Sequence, residues 1–535
     1  MAQEVKLGSV DFPTSRAGKA QEHFLRGVAA MHSFWYEEAL EEFRAATKAA
    51  PSFAMGYWGE AMAHNHPVWH EQDAEAARKA LGQIKDTEKL TERERAFIAA
   101  VRVLYGEGEK EERDRAYLAA MEKIYRENPD DLEAASFYSL ALLGVHGYQV
   151  EGHRERMQAG SIALQVYAKN PNHPGAAHYI IHSFDDPEHA IVALPAAFRY
   201  AEIAPAAHHA KHMPSHIFIQ LGMWPEAAAS NESAWQTSVD WVNSKKLHGN
   251  LRDFHSLHWL LYIYLQQGRW ARAEGILEVR RKALDSGNMG GTYRGRADRL
   301  WTDMAAEMVV ETENWKRAAE LFAGADGASG DAGAHQHGGM PASGRNQASR
   351  NQVLTAYVRG MAAAHMRSED AEQSAAMLRK YAEAMEGESA ESARIMADEV
   401  EATLASTRGE KEKAIGIMQR AVKSEEAMAA PSGPPDLIKP SHEAFGEILL
   451  AAGDAKRASE QFARSLGRHP NRARSLLGAA RAAAAAGDAA AAADSYAKLL
   501  DVWKYADTQM AELKEAREFL QKNARTPGKD CAFCK

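Results

Sequence analysis

Apolar residues recur at helical spacing along nearly the whole chain. Leu277, Val279 and Leu284 form one such stripe, and Phe445, Ile448 and Leu449 form another. Residues three and four apart share a helix face, whereas a half-buried strand needs strict alternation. Alternating runs of β-branched residues are missing, alanine is abundant, and glycine and proline punctuate at intervals. The pattern predicts a chain that is almost entirely helical.

The helical pattern also repeats. "SFWYEEALEEF" (33–43), "GMWPEAAASNESAW" (222–235), "GRWARAEGIL" (268–277) and "ENWKRAAELF" (313–322) share one layout, and "GEKEKAIGIM" (409–418), "GDAKRASEQF" (453–462) and "GDAAAAADSY" (487–496) follow it. A turn residue leads, an alanine follows at a fixed offset, and an aromatic or aliphatic residue comes four places later. The alanine lets one helix approach its neighbour, and the larger residue fills the space beside it. "NPDD" (128–131), "NPNHP" (170–174) and "HPNRA" (469–473) place a proline where a preceding helix must stop. Ala458 and Ala492 are 34 residues apart.

This layout resembles the tetratricopeptide repeat (TPR), a helix-turn-helix unit of about 34 residues that stacks into a superhelix. The resemblance runs from about residue 17 to 520. It implies an all-α fold, a TPR-type α-solenoid built as a right-handed superhelix of roughly eight or nine repeats. Longer steps, such as the 46 residues from Trp224 to Trp270, imply longer helices or insertions. The expected divisions are an N-terminal extension (1–16), repeats 17–322, a flexible Gly/Ser/Ala-rich insertion (323–351), further helices (352–430), C-terminal repeats (431–522) and a tail (523–535). His335 and His337 fall in the insertion, where solvation is expected.

Composition narrows the function. The chain has 535 residues, 45% hydrophobic and 26% charged, with a formal net charge of −9. Nucleic-acid binding needs a basic footprint, which is missing. No run approaches the roughly 18 apolar residues of a membrane span. The two cysteines, Cys531 and Cys534, lie in the tail, so the body suits an oxidising compartment. "MAQEVKLG" has no secretion-signal features but could follow a cleavage site. A periplasmic or secreted protein is expected, with a cytoplasmic one as the alternative. P-loop, dinucleotide and nucleophile-elbow motifs are absent from the sequence.

Eight of the 23 histidines lie between His173 and His216. His178 and His182 are four apart on one expected helix face, as are His212 and His216, and the two pairs are separated by 34 residues. One repeat therefore sets them on adjacent first helices, about 8–10 Å apart, within reach of one point. Pro214 must start or kink a helix inside the second pair. Aligning Gly222 with Gly268 puts His258 in register with His212 and Tyr262 with His216, while His255 lies nearly one turn earlier. The groove would then hold a transition metal, copper, zinc or non-haem iron, because neutral imidazoles suit these ions. Asp185, Asp186 and Glu188 are candidate orienting carboxylates, and Asp185 or Tyr262 a candidate proton carrier for an enzyme acting on a small molecule. The alternative is a metal-free scaffold whose groove binds a partner peptide.

A closer resemblance rests on "VDFPTS" (10–15), "HSFWYEEA" (32–39), "HPGAAHYIIHSFDDPE" (173–188), "HMPSHIFIQLGMW" (212–224), "KPSHEAFGEILL" (439–450) and "PNRARSLLGAARAA" (470–483). These are similar to motifs of a bacterial family of largely uncharacterised TPR proteins, whose members commonly carry secretion signals. In that pattern the counterpart of "HSLHW" reads like "HAMDY", so His255 matches the family and His258 departs from it.

Other candidates are less central. "HNHPVWHE" (64–71) offers His66 leaning over one end of the groove, and His146, between glycines just past an expected helix end and 32 residues before His178, is placed to face the groove. His442 and Glu443 read as helix-start residues. His173, His189, His208 and His209 fall outside the columns and are expected at the surface. "DCAFCK" is a lone C-x-x-C, read as a local disulfide rather than a metal site.

Overall fold

The computed structural model describes residues 6–85, 88–147, 152–285, 291–323 and 350–523. His335, His337, Cys531 and Cys534 lie outside them. Among the described residues the chain is helical apart from short turns and one antiparallel ladder, Asn65–His66 against Glu71–Gln72. Twelve consecutive helix pairs run from Lys19–His32 with Tyr36–Ala49 to Ala473–Ala485 with Ala489–Val502, and Ala511–Asn523 follows. That exceeds the expected eight or nine. Pairs such as Glu92–Leu104 with Lys110–Glu127 lack the alanine signature and so escape a search for it.

Where the signature occurs, it packs as its chemistry requires. Ala39, Ala273, Ala414, Ala458 and Ala492 are fully buried, and Phe43, Leu277, Met418, Phe462 and Tyr496 are buried four residues on. Phe462 shows why small residues are needed opposite. A Cβ on Gly446 or Gly478 would lie 2.8 or 2.2 Å from its ring. The 46-residue step contains the 21-residue helix Trp224–Ser244 and a short turn, Gly249–Leu251, before the next helix.

The turn that leads each signature is left-handed. Gly268, Gly453 and Gly487 have φ of 67°, 91° and 83° there, as glycine permits. In the first copy this position is Phe34, with φ of 52°. A bulky side chain in this region costs about 1–2 kcal/mol.

The N-terminal segment is built into the fold. Phe12 is fully buried, with ring centroids 5.1 Å from Phe24 and 5.0 Å from Phe97. Ser15 donates from its backbone N–H and its hydroxyl to Glu94, both at 2.9 Å. The chain divides into two compact units. The first holds the residues up to Phe218 together with Ala229–Asp253, and the second holds Ile219–Ala228 and the described residues from Phe254 onward.

Candidate metal centre

Most positions of "HPGAAHYIIH" have a structural reason in the first unit. Pro174 opens the helix Pro174–Ser183, where its missing N–H costs nothing. His173 caps that helix, its Nδ1 accepting from the Ala176 N–H at 3.1 Å. Its proton therefore sits on Nε2, which donates to Glu133 at 3.1 Å. Gly175 admits the His32 ring, which would lie 2.6 Å from a Cβ there. His32 Nε2 donates to the other Glu133 oxygen at 2.8 Å, and its Nδ1 accepts from the Tyr179 hydroxyl at 2.7 Å.

His32, Glu133 and His173 are fully buried. Burial alone would raise the Glu133 carboxyl, but His173 and His32 hold it below the ordinary carboxylate range. His173 is thus a core residue and not a surface one. The trio could also present ligands to an ion, but the His173 lone pair is already used by Ala176 and both Nε2–H groups point at the carboxylate. It is a closed structural knot.

The knot positions the next histidine. His178 Nδ1 donates to the backbone carbonyl of His32 at 2.8 Å, which makes Nε2 its lone-pair nitrogen. His182 Nε2 lies 3.1 Å from that atom and His209 Nε2 lies 3.2 Å from it. One sp² lone pair accepts one well-aligned hydrogen bond, so it cannot serve both neighbours. A tetrahedral ion with bonds of about 2.0–2.1 Å holds its nitrogens roughly 3.4 Å apart, close to what is seen. His209, expected at the surface, is therefore the third member of this group. It lies three residues before His212 on the short helix His208–His212, so both rings share one face.

The second column completes the cluster. Pro214 ends one helix and opens the next, Pro214–Gln220, yet the His212 and His216 rings remain 5.0 Å apart. His212 Nδ1 donates to Asn231 Oδ1 at 2.7 Å, and His216 Nδ1 donates to Asp185 Oδ2 at 2.6 Å. Asp185 is thus an orienting carboxylate. Asp186 instead pairs with Arg156 at 3.1 Å and His189 at 2.8 Å, and Glu188 is exposed. His208 pairs with Asp253 at 3.1 Å.

The five rings close on one another. Centroid distances are 4.7 Å for His178–His182, 5.0 Å for His178–His209, 5.9 Å for His209–His212 and 6.0 Å for His182–His216. Burial pushes His178 down to about 3, with His216, His32 and His212 adding to the effect. Burial and then His178 and His212 lower His209 as well. Both rings are neutral at neutral pH, which is the form that binds metal. His178, His212 and His216 are buried, whereas His182 and His209 are partly exposed, so the cluster reaches solvent on their side.

Phe34, in its left-handed turn, lies against this group. Its ring centroid is 4.2 Å from that of His178 and 5.7 Å from that of His209, and Trp69 lies 5.3 Å beyond it. The strained backbone of Phe34 holds its ring against these histidines.

His66 and His146 fall outside this five-ring group. His66 stacks on Tyr36, 4.0 Å between centroids, and its Nδ1 lies 3.3 Å from Glu71. His146 ends the helix Leu132–His146, and burial with Arg156 and His153 lowers it to about 4. His255, His258 and Tyr262 belong to the second unit. His255 packs on Trp259, 5.5 Å between centroids. His258 donates to Glu307 at 2.9 Å, and although burial opposes charge, Glu307 holds it above the ordinary value. His258 Nε2 is thus engaged by Glu307. The Tyr262 hydroxyl accepts from Arg472 at 3.2 Å, and burial raises its pKa well above the ordinary value, which suits neither acid nor base near neutral pH.

Two signals in the sequence pointed to residues missed there. The copy at 222–235 departs from the expected layout, since Asn231, four after Ala227, stands where the other copies carry a large apolar residue. Phe34 replaces a turn glycine.

No protein-family model matches the chain, and no curated protein matches it. A TPR protein from Parabacteroides merdae, known from a crystal structure, is similar at 14% identity and a TM-score of 0.30, over 59% of this chain and 97% of that one. At that TM-score the likeness carries no argument about the site. Among the described residues, no helix is long and apolar enough to cross a membrane. The chain is an all-α protein of tandem helix pairs, as its own helices show.

Proposed function

We propose that the protein binds a transition-metal ion, copper, zinc or non-haem iron, through Nε2 of His178, His182 and His209. The observation that carries this reading is the approach of two Nε2 atoms, at 3.1 and 3.2 Å, to the single lone pair of His178. A cation there turns lone-pair repulsion into three coordinate bonds. Three neutral histidines leave a coordination position open, the arrangement of catalytic rather than structural sites. An ion so held polarises a bound water or small molecule, and the partly exposed side at His182 and His209 admits it.

The competing reading is a metal-free scaffold with a peptide in its groove. Its aromatic residues favour the small-molecule reading, since Trp58, Tyr138 and Tyr179 in the first unit and Trp259 and Tyr262 in the second are all buried. A body without cysteine fits an exported protein loaded with metal outside the cytoplasm.

Metal analysis of gently purified protein tests the reading, alongside Zn(II) titration of the metal-free form. Stoichiometric binding that weakens at least 100-fold in His178→Ala supports it. Wild-type protein that neither carries nor takes up metal overturns it.

A further inference from the structure

Five imidazoles exceed what one ion of this kind takes from a protein. His178, His182 and His209 account for one ion, which leaves His212 and His216 to explain. These two are oriented separately from the first three. His212 is turned by Asn231, and His216 by Asp185, each through Nδ1. An oxygen acceptor on one ring nitrogen is the usual support of a metal-ligating histidine, because it sets the tautomer and aims the other nitrogen. Ordinary core packing would not place a polar Asn231 where every other copy of the signature has an apolar filler. The side chain is fully buried, and its Oδ1 accepts from His212.

Charge supports the same conclusion. Two dications in a buried cluster of neutral rings repel strongly unless negative charge lies nearby. Asp185, 4% exposed and 2.6 Å from His216, supplies it on the side of the second pair.

We propose that the cluster holds two metal ions side by side, the second on Nε2 of His212 and His216, forming a dinuclear centre. The inference rests on the mononuclear reading above and adds the second ion. The remaining positions on each ion are filled by solvent or by one small oxygen-donor molecule spanning both, as two-metal sites permit at separations of about 3.5–4 Å.

Cu(II) titration of the metal-free full-length chain, read by metal content and by electron paramagnetic resonance, tests this. Wild-type protein should bind two equivalents whose spins are magnetically coupled. His216→Gln and His212→Gln should each lose one equivalent and convert the remaining signal to that of an isolated ion. Asp185→Asn, which keeps the shape of the side chain, should weaken the second equivalent about 10–100-fold and leave the first. One equivalent in wild-type protein, lost in His178→Gln but kept in His216→Gln, overturns the dinuclear proposal and leaves the mononuclear reading standing. Two equivalents with uncoupled spins also overturn it. Absence of binding in wild-type protein overturns both.

Discussion

Replacing Glu133 by methionine tests whether the buried knot positions the metal ligands. Methionine keeps the volume and removes the acceptor of two buried N–H donors, His32 Nε2 at 2.8 Å and His173 Nε2 at 3.1 Å. Each orphaned donor costs about 1–3 kcal/mol, so the loss should be about 2–6 kcal/mol. Glu133→Gln should cost less than half as much, for a reason specific to this site. His173 cannot change tautomer, since its Nδ1 accepts from Ala176, and it keeps the glutamine oxygen. His32 can move its proton to Nδ1, facing Tyr179, and accept from the glutamine amide. For a unit of this size, 1 kcal/mol shifts the midpoint by roughly 2–4 °C, so Glu133→Met should lower the first-unit melting transition by about 10 °C. Calorimetry reads this, and hydrogen exchange across 132–146 and 174–183 localises it. The His32 carbonyl also aims His178, so metal affinity should fall about 10–100-fold in the methionine variant. A methionine variant less than 1 kcal/mol weaker than wild type, or no worse than the glutamine variant, would refute the reasoning.

Acid should destabilise the metal-free first unit. His178 is depressed by burial to about 3, so its stabilisation is complete above the unfolded value near 6.5 and is lost as pH falls below it, at about 1.4 kcal/mol per pH unit, and His32, lowered by burial, acts in the same direction. Urea midpoints that stay flat from pH 6.5 to 5 would contradict this. In the second unit, Glu399 is pushed up to about 8 by burial and Glu425, even though Tyr357 and Ser441 donate to it. Its folded form stays protonated at neutral pH while the unfolded form ionises, so the penalty grows with pH up to about 8. Glu399→Gln should therefore stabilise at pH 7, by about 1–3 kcal/mol, and the gain should vanish near pH 4. Arg472 lies between Glu443 at 2.8 Å and Glu311 at 2.7 Å, all three buried. Arg472→Leu removes the ion-pair partner of Glu311 and leaves Glu443 with Lys439 at 3.7 Å, and should cost about 3–5 kcal/mol, measured by the second-unit unfolding transition. Phe34→Gly restores the usual turn residue, so strain relief should keep stability within about 1–2 kcal/mol of wild type. The Cu(II) spectrum should nevertheless change as the ring is lost from beside His178, and an unaltered spectrum would deny Phe34 a place at the centre.

Much of the architecture was legible in the sequence. Helical spacing, stop prolines and the alanine signature depend on contacts between neighbouring segments, which sequence distance reports directly. The same arithmetic brought His178 and His182 alongside His212 and His216, because one repeat advances the chain to the adjacent first helix. Repeats without the signature, such as those spanning 92–127, were missed because different side chains fill the same space there.

Sequence distance could not say which nitrogen faces which, and that is what the tertiary structure decided. His209 lies outside the four-residue column, yet the proline break at 214 leaves its helix free to present it to His178. The tautomer of His178 depends on a carbonyl 146 residues away, at His32. His258 shares its repeat position with His212, but Glu307 claims it in another unit. A repeat fixes where a backbone position falls. The lone pair that binds an ion is set by long-range hydrogen bonds that only the folded chain assembles.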